Sequence, residues 1–252
     1  MGSLTKFIAA TGVSLVLAAG GAQAADMSDA FLEPILPVEI GSAWYLRGDI
    51  GYHIATSPNA TYTLTAPNTV LTNTNVSLDD AFMVGGGFGY QFNPWFRVDA
   101  TADYILPGNF SANVPCTVAA CGSPFSNATA EISSWATLVN AYFDLGTWAG
   151  LTPYVGGGIG AANINIKGYQ SNNPPANPAT LRSVASDSNS WNFAWALMAG
   201  ASYAMTENAL LDFNYRYLSL GDVSTNDQRA NHIEVTDLDA HEFRIGFRYL
   251  ID

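Results

Sequence analysis

The last segment of the chain, 241–251, alternates between two kinds of side chain with a period of two. One face is apolar and the other is charged or small: Phe243, Ile245, Phe247, Tyr249 and Ile251 against Glu242, Arg244, Gly246 and Arg248. A period of two indicates a β-strand, because successive side chains point to opposite faces. Segments 96–104 and 212–217 repeat the pattern. Strands of about ten residues with one apolar and one polar face are typical of transmembrane β-barrels.

The composition favours a membrane protein over a soluble one. Of the 252 residues 48% are hydrophobic and only 12% are charged, about half the usual charged share of globular proteins. After the N-terminal region no stretch reaches the roughly 18 apolar residues of a spanning helix. The net charge of −12 disfavours nucleic acid as a partner, since phosphate backbones attract Lys and Arg. It also disfavours attachment to an anionic membrane surface by charge alone.

The first residues predict export. Lys6 precedes an apolar stretch at 7–19, and Ala-Gln-Ala at 22–24 fits a small-x-small cleavage site. Pro34 and Pro37 disfavour regular pairing in the segment that follows. The predicted divisions are a signal peptide at 1–24, a flexible periplasmic leader at 25–42 and an outer-membrane barrel at 43–252.

The remainder predicts eight strands joined by alternately long and short connections. The strands are expected at 44–54, 82–92, 95–104, 132–145, 153–165, 192–205, 209–220 and 240–251. The long connections are expected at 55–81, 105–130, 166–190 and 221–239, and short turns at 93–94, 146–152 and 206–208. This alternation is typical of outer-membrane barrels, with tight periplasmic turns and long external loops. The predicted fold class is therefore all-β: one closed eight-stranded antiparallel transmembrane β-barrel, closed because an open sheet edge in lipid leaves backbone groups unpaired.

Tyr and Trp prefer the two membrane interfaces, and aromatic residues fall at both ends of the predicted strands. Near the periplasmic ends they are Trp44, Tyr90, Phe92, Trp95, Trp148, Tyr203 and Tyr249. Nearer the outer ends they are Tyr52, Tyr104, Trp135, Phe193, Tyr215 and Tyr217.

The polar faces predict a charged interior. The candidate lumen residues are Arg47, Asp49, Arg97, Asp99, Asp103, Asp144, Asp212, Arg216, Glu242, Arg244 and Arg248. Eight strands enclose an interior just wide enough for side chains to fill, and guanidinium groups pair well with carboxylates. Two interpretations are open: an ion-pair plug that stabilises the fold, or a narrow polar pathway for ions or water. Gly85, Gly87 and Gly89 are expected to make room for long Arg side chains of neighbouring strands.

Cys116 and Cys121 are the two cysteines of the chain and lie close together in the second long connection. An exported protein with one nearby pair predicts a disulfide.

No catalytic or metal site is predicted. The G-x-G-x-x-A match at 156–161 would need a following helix to bind a dinucleotide, and the residues after it do not favour one. The three histidines, His53, His232 and His241, lack metal-ligand spacing, although His232 in a loop is a candidate ligand for haem iron. Asp79 and Asp80 resemble the carboxylate pairs of membrane proteases, but no partner set for nucleophilic catalysis is visible. We therefore predict neither an enzyme nor a bound cofactor.

Two blocks resemble a known family. Residues 44–52 (WYLRGDIGY) are similar to the first strand of small alphaproteobacterial outer-membrane β-barrels, also called immunogenic outer-membrane or porin-family proteins. Residues 140–148 and 152–160 are similar to their central hairpin. The resemblance implies an eight-stranded barrel in the outer membrane of a Gram-negative cell, with roles in envelope integrity and host or environment contact. Such barrels commonly end in an aromatic residue, whereas this chain ends in Leu250, Ile251 and Asp252.

The predicted function is a structural and surface-interaction role in the outer membrane, in which four long external loops are presented as a surface antigen. The alternative is a narrow porin or a protein that binds or takes up a small ligand such as haemin. Expected partners are outer-membrane lipid and lipopolysaccharide, the barrel assembly machinery and a host or environmental ligand at the loops.

Overall fold

The computed structural model describes residues 43–64, 69–115, 124–172, 183–184, 187–226 and 232–251. Within these ranges no helix is long and apolar enough to cross a membrane. The predicted signal peptide and leader lie outside the described residues, and so do Cys116 and Cys121.

Eight long strands form a closed antiparallel ring, which confirms the predicted fold class. They are β1 (Ala43–Ala55), β2 (Ala81–Asn93), β3 (Phe96–Pro115), β4 (Phe125–Asp144), β5 (Leu151–Asn172), β6 (Ser188–Ala204), β7 (Ala209–Ser219) and β8 (Asp239–Ile251). Each pairs with its neighbours in chain order. The first and last strands close the ring, with Trp44 opposite Ile251 and Ala55 opposite Ala240.

The outer face of the ring is apolar and carries aromatic pairs near both ends. Towards the short turns, Trp44 packs on Tyr90 with ring centroids 5.0 Å apart. Towards the other end, Tyr104 packs on Trp135 at 4.8 Å. Large apolar side chains between them, such as Ile245, are about half exposed. This arrangement presents an apolar band with aromatic edges, as lipid requires.

Three strands are longer than predicted, by between six and ten residues each. β3 and β4 have 20 residues each and β5 has 22, and at about 3.3 Å per residue they exceed the roughly 25 Å apolar band of an outer-membrane barrel. The prediction that 105–130 is a loop was therefore wrong for most of that segment. The strands continue past the other five and form an outer extension of the barrel.

The outer extension has its apolar side chains inside. Phe110, Ala112 and Val114 of β3 are buried, whereas Ser111 and Asn113 point outward. This sorting is the opposite of that within the apolar band and matches a sheet whose outer face meets water. The extension is therefore built like a soluble domain.

A β-bulge makes this reversal possible in β3. Ile105 pairs with Ser134, and Gly108 pairs with Ile132. Between these pairs β3 has two residues, Leu106 and Pro107, whereas β4 has one. An extra residue in one strand exchanges the facing of every side chain beyond it. Without the bulge Phe110 would point outward.

Two of the predicted loops form a small sheet of their own. Segments Val223–Asn226, His232–Thr236, Asn59–Leu64 and Thr69–Thr72 lie side by side in that order. The adjoining segment Thr74–Leu78 pairs with the outer half of β3. The first and fourth long connections thus join at the same end of the barrel.

The interior has three layers along the barrel. Tyr45, Leu210 and Leu250 form a small apolar cluster near the short turns. Charged side chains fill the middle layer. A larger apolar cluster occupies the outer layer and includes Met83, Ile105 and Phe110.

Candidate functional site

All eleven predicted lumen residues point into the barrel and are buried, with at most 8% of each residue exposed. The cause is the strand period, since inward positions recur at every second residue. Five guanidinium groups meet six carboxylates in this layer, and every one of the eleven residues takes part in at least one ion pair.

The part of the network nearer the outer extension centres on Arg216. Its Nη1 lies 2.6 Å from Asp103 Oδ2, and its Nε lies 2.6 Å from Glu242 Oε2. Arg244 reaches the same Asp103 at 2.9 Å and Asp49 at 3.4 Å. Asp103 therefore links strands β3, β7 and β8 across the interior.

The part of the network nearer the short turns begins at Arg47. This side chain donates to Asp49 at 2.8 Å and to Asp99 at 2.7 Å. Its Nη1 also lies 3.0 Å from the hydroxyl of Tyr142. The hydroxyl of Tyr45 donates to Asp99 at 3.1 Å, so Asp99 is held by neutral as well as charged donors.

Arg97 is held mainly by aromatic rings. Its guanidinium carbon lies 4.0 Å from the ring centroid of Tyr142 and 4.6 Å from that of Tyr154. Its Nε donates to Asp144 at 3.2 Å, while Nη1 and Nη2 have no hydrogen-bond partner among the described residues. A cation over an aromatic face is attracted by the ring quadrupole, which stabilises the charge of this fully buried side chain.

Arg248 completes the network near the short turns. Its Nε donates to Asp212 at 2.7 Å and its Nη2 donates to Ser202 at 2.6 Å. Ser202 in turn donates to Asp212. These three residues connect β6, β7 and β8.

Sequence reasoning missed several members of this layer. His53 lies with its Nδ1 2.9 Å from Glu242 Oε1, and Asn140 donates to Asp99 at 2.8 Å. The hydroxyl groups of Tyr45, Tyr142 and Ser202 also form hydrogen bonds with the network. Their inward facing follows from the same alternation that identified the charged residues, so the signal was present but was applied only to charges.

The glycines of β2 make room for other groups than predicted. A Cβ at Gly85 would collide with the carboxylate of Asp103, and one at Gly89 would collide with the ring of Tyr45 and with Asp99. The prediction that these glycines accommodate arginines was wrong. Carboxylates and a tyrosine approach the β2 backbone at these two glycines.

The remaining sequence candidates have structural places. The glycines at 156–161 lie within β5, which continues as a strand, and the ring of Tyr142 packs against Gly156. Asp80 accepts hydrogen bonds from Tyr52 and from the backbone of Ala55. The side chain of His232 lies outside the described residues. Among those described, no group of His, Cys, Asp and Glu could hold a metal ion.

Comparison with known proteins identifies the family. Residues 12–249 match the outer membrane protein beta-barrel domain. The chain belongs to this family. The match agrees with the ring of eight strands and the apolar outer face, and it locates the protein in the outer membrane of the cell.

Relatives of this outer-membrane barrel occur in several bacteria. It is 34% identical over 223 residues to an uncharacterised protein of Brucella suis, covering 81% of this chain and 78% of that protein. It is 29% identical over 176 residues to the outer membrane protein PagN of Salmonella typhimurium, covering 66% of this chain and 72% of PagN.

The fold is similar to that of OprG, an outer membrane protein of Pseudomonas aeruginosa, with a TM-score of 0.56 and 19% identity. The alignment covers 84% of this chain and 97% of OprG. Outer-membrane barrels have short periplasmic turns. We therefore expect the short turns and both termini of the barrel, Ala43 and Ile251, to face the periplasm and the outer extension to face the cell exterior.

Proposed function

We propose that the protein is a non-enzymatic structural and surface-interaction protein of the outer membrane. The occupied interior is the observation that carries the proposal. Ion pairs fill the middle layer and apolar side chains fill the outer layer. Side chains packed in this way leave little room for a solute to cross. The surface open to partners is then the outer extension with its sheet of loop segments.

The charge of this surface favours some partners over others. The exposed residues at the outer end include several carboxylates: Asp79, Asp80, Asp187 and Glu234. Lys167 is the exposed cation of the described outer strands. An acidic surface attracts cationic partners and repels anionic ones. We expect a host or environmental ligand to be basic or neutral.

Conductance distinguishes the proposal from its alternative, a narrow porin or a protein for uptake of a small ligand such as haemin. The purified protein in planar bilayers should conduct far less than a sixteen-stranded porin. Arg244→Ala should open an ion leak or destabilise the barrel, because Asp103 and Asp49 lose a cation. Lys167→Ala should do neither. A sustained porin-like conductance of the wild type contradicts the proposal.

Labelling of intact cells tests which end is displayed. In a Cys116→Ser/Cys121→Ser background, Val70→Cys should react with a membrane-impermeant maleimide on intact cells, since Val70 is exposed in the outer sheet. Thr147→Cys, in a short turn, should react only after the outer membrane is permeabilised. If only Thr147→Cys were labelled on intact cells, the barrel would have the opposite orientation in the membrane.

Adhesion tests the surface role itself. Cells that display the protein should bind to epithelial monolayers more than cells without it. Replacement of 59–72 by a Gly-Ser linker of equal length should remove that gain while the barrel still folds, as judged by a shift in gel migration on heating. Equal adhesion by the wild type and the folded linker variant contradicts a role for the outer sheet.

We propose two further kinds of partner, the lipids of the outer membrane and the barrel assembly machinery. As an outer-membrane barrel the protein lies among lipid and lipopolysaccharide. We expect the assembly machinery to recognise β8, whose outward face carries Tyr249 and Ile251. Replacing Ile251 by Phe should therefore leave assembly unchanged or raise the folded yield in cells.

A further inference from the structure

The outward face of the barrel carries a group of polar side chains where the apolar band ends. Asn163 of β5 lies opposite Trp135 of β4 on one side and opposite Trp191 of β6 on the other. Residues that pair directly share a face of the sheet, so the three side chains are neighbours. Two residues further out, Asn165 lies opposite Asn189. Neither the ion-pair network nor the outer sheet of loop segments includes these residues.

The three asparagines form a closed ring of hydrogen bonds, the amide triad. Asn163 Nδ2 donates to Asn189 Oδ1 at 2.6 Å, Asn189 Nδ2 donates to Asn165 Oδ1 at 3.0 Å, and Asn165 Nδ2 donates to Asn163 Oδ1 at 3.1 Å. A side-chain amide has two N–H donors and two acceptor lone pairs, and the ring uses one of each. Asn189 is exposed and Asn165 is partly exposed, so their second donor and lone pair are within reach of a ligand.

Two indole rings flank the amide triad. Trp191 is 69% exposed, and Trp135, which packs on Tyr104 at 4.8 Å, is 48% exposed. Their backbones are two strand spacings apart, about 10 Å. Tryptophan is ordinary at a membrane interface, but an amide at the edge of the lipid-facing surface is costly unless its hydrogen bonds are made. Indole rings beside preoriented amides suit a ligand that has both apolar faces and hydroxyl groups.

The charges around the amide triad favour a neutral ligand. Glu131 and Lys167 lie opposite each other two residues beyond Asn165, so their formal charges cancel. The whole chain has a net charge of −12 and repels anions at long range. A phosphate group finds little attraction here, whereas a hydroxyl group can donate to and accept from the amides.

We propose that the amide triad and its two flanking tryptophans bind a sugar ring in the head group of an outer-leaflet glycolipid. The C–H groups of one sugar face would pack on an indole, since their positive edge is attracted to the negative ring face. The hydroxyl groups would bond to the amides. Phe193, the next outward residue of β6 towards the short turns, is 65% exposed and continues the apolar band on which the acyl chains would lie. The inference rests on the proposed location of the protein among lipopolysaccharide and names the site of that contact.

Nuclear magnetic resonance of the indole N–H groups tests the proposal. The protein is placed in phosphatidylcholine nanodiscs with ¹⁵N-labelled tryptophan, and a neutral glucosyl diacylglycerol is added in steps. The signals of Trp135 and Trp191 should shift and saturate. Trp44 and Trp95, exposed at the opposite edge of the apolar band, should not. Lipopolysaccharide should shift the same two signals, and phosphatidylglycerol, which has no sugar ring, should leave them in place.

Matched variants locate the binding. Asn163→Ala opens the amide triad and should weaken the glycolipid response about tenfold or more. Asn127→Ala makes the same change at an exposed position in the outer part of β4 and should not. Trp191→Leu should also weaken the response, and Trp191→Phe should recover part of it because a ring face remains. If Asn163→Ala does not fold, as judged by gel migration on heating, the two Trp191 variants decide.

Four results overturn the proposal. Equal shifts of all four tryptophan signals mean a general change of the bilayer, and an equal response to phosphatidylglycerol means recognition of any lipid head group. A response to lipopolysaccharide without one to the neutral glycolipid means recognition of phosphate. An undiminished response in Trp191→Leu places the sugar elsewhere. The adhesion experiment fails or succeeds separately, because the linker at 59–72 leaves the amide triad and both tryptophans in place.

Discussion

Arg216 of β7 lies 2.6 Å from Asp103 of β3, on the opposite side of the eight-stranded ring. This ion pair spans the interior, and both side chains are fully buried. Each strand of a barrel normally contacts only its two neighbours. A pair that joins opposite strands therefore braces the wall against flattening, and its loss should be felt by the whole barrel.

Arg216→Met should lower the free energy of unfolding by roughly 3–5 kcal/mol, the usual cost of leaving a buried charge without its partner. Asp103 and Glu242 both lose their shortest ion pair. The measurement is urea unfolding in detergent micelles followed by tryptophan fluorescence. Lys167→Met, an exposed cation of β5, serves as the control and should change stability by less than about 1 kcal/mol.

A neutralised triple variant separates charge from packing. Arg216→Met with Asp103→Asn and Glu242→Gln should recover part of the lost stability, because the two partners of Arg216 no longer carry a buried charge and Arg244 keeps its ion pair with Asp49 at 3.4 Å. If the triple variant is less stable than Arg216→Met alone, packing of the arginine side chain is more important than its charge.

Gly89→Ala should destabilise the barrel by about 1–3 kcal/mol, the usual cost of overpacking. The added methyl group meets the ring of Tyr45 and the side chain of Asp99. Gly48→Ala is the matched control, because nothing lies within 4 Å of a Cβ there. Urea midpoints of the two variants should differ clearly, and equal midpoints would show that Tyr45 moves aside freely.

Deletion of Pro107 should disrupt the outer extension and leave the membrane part folded. Without the extra residue, Phe110, Ala112 and Val114 turn outward and Ser111 and Asn113 turn inward. Amide hydrogen exchange should become faster at 109–115 and stay slow at 97–104. Pro107→Ala keeps the residue count and should preserve both. Slow exchange at 109–115 in the deletion variant would mean that the strand restores its facing elsewhere.

Cys116 and Cys121 remain predicted to form a disulfide in an oxidising compartment. Titration of the unreduced, denatured protein should find no reactive thiol, and prior reduction should reveal two. Detection of two thiols without reduction would contradict the pairing.

The sequence predicted the membrane part of the fold well, because one rule governs it. Lipid outside and a narrow interior impose the same alternation on every strand, so Arg244 and Phe243 could be assigned to opposite faces. At the short turns the predicted strand ends lie close to the observed ones for the same reason. The structure brings all eleven predicted lumen residues into one layer.

The outer extension was not predicted, although its pattern is visible. Phe110, Ala112 and Val114 alternate with polar residues, as do Ala128 and Ala130, but the apolar face is the inner one. A prediction that looks for an apolar face towards lipid assigns such segments to loops. The bulge at Leu106 and Pro107 also interrupts the alternation, so the sequence pattern does not show that β3 continues. Pairings such as that of Arg216 with Asp103 depend on the three-dimensional position of strands and cannot be read from alternation.

The sheet that joins the first and fourth long connections has a consequence for assembly. Thr63 pairs with His232, so this sheet needs segments from near both ends of the barrel sequence. Contacts between such distant segments form late, since the intervening chain must first be ordered. The outer sheet is therefore a marker of completed closure. An antibody whose epitope includes segments from both the first and the fourth long connection would distinguish finished barrels from intermediates in which the last strand has not yet paired.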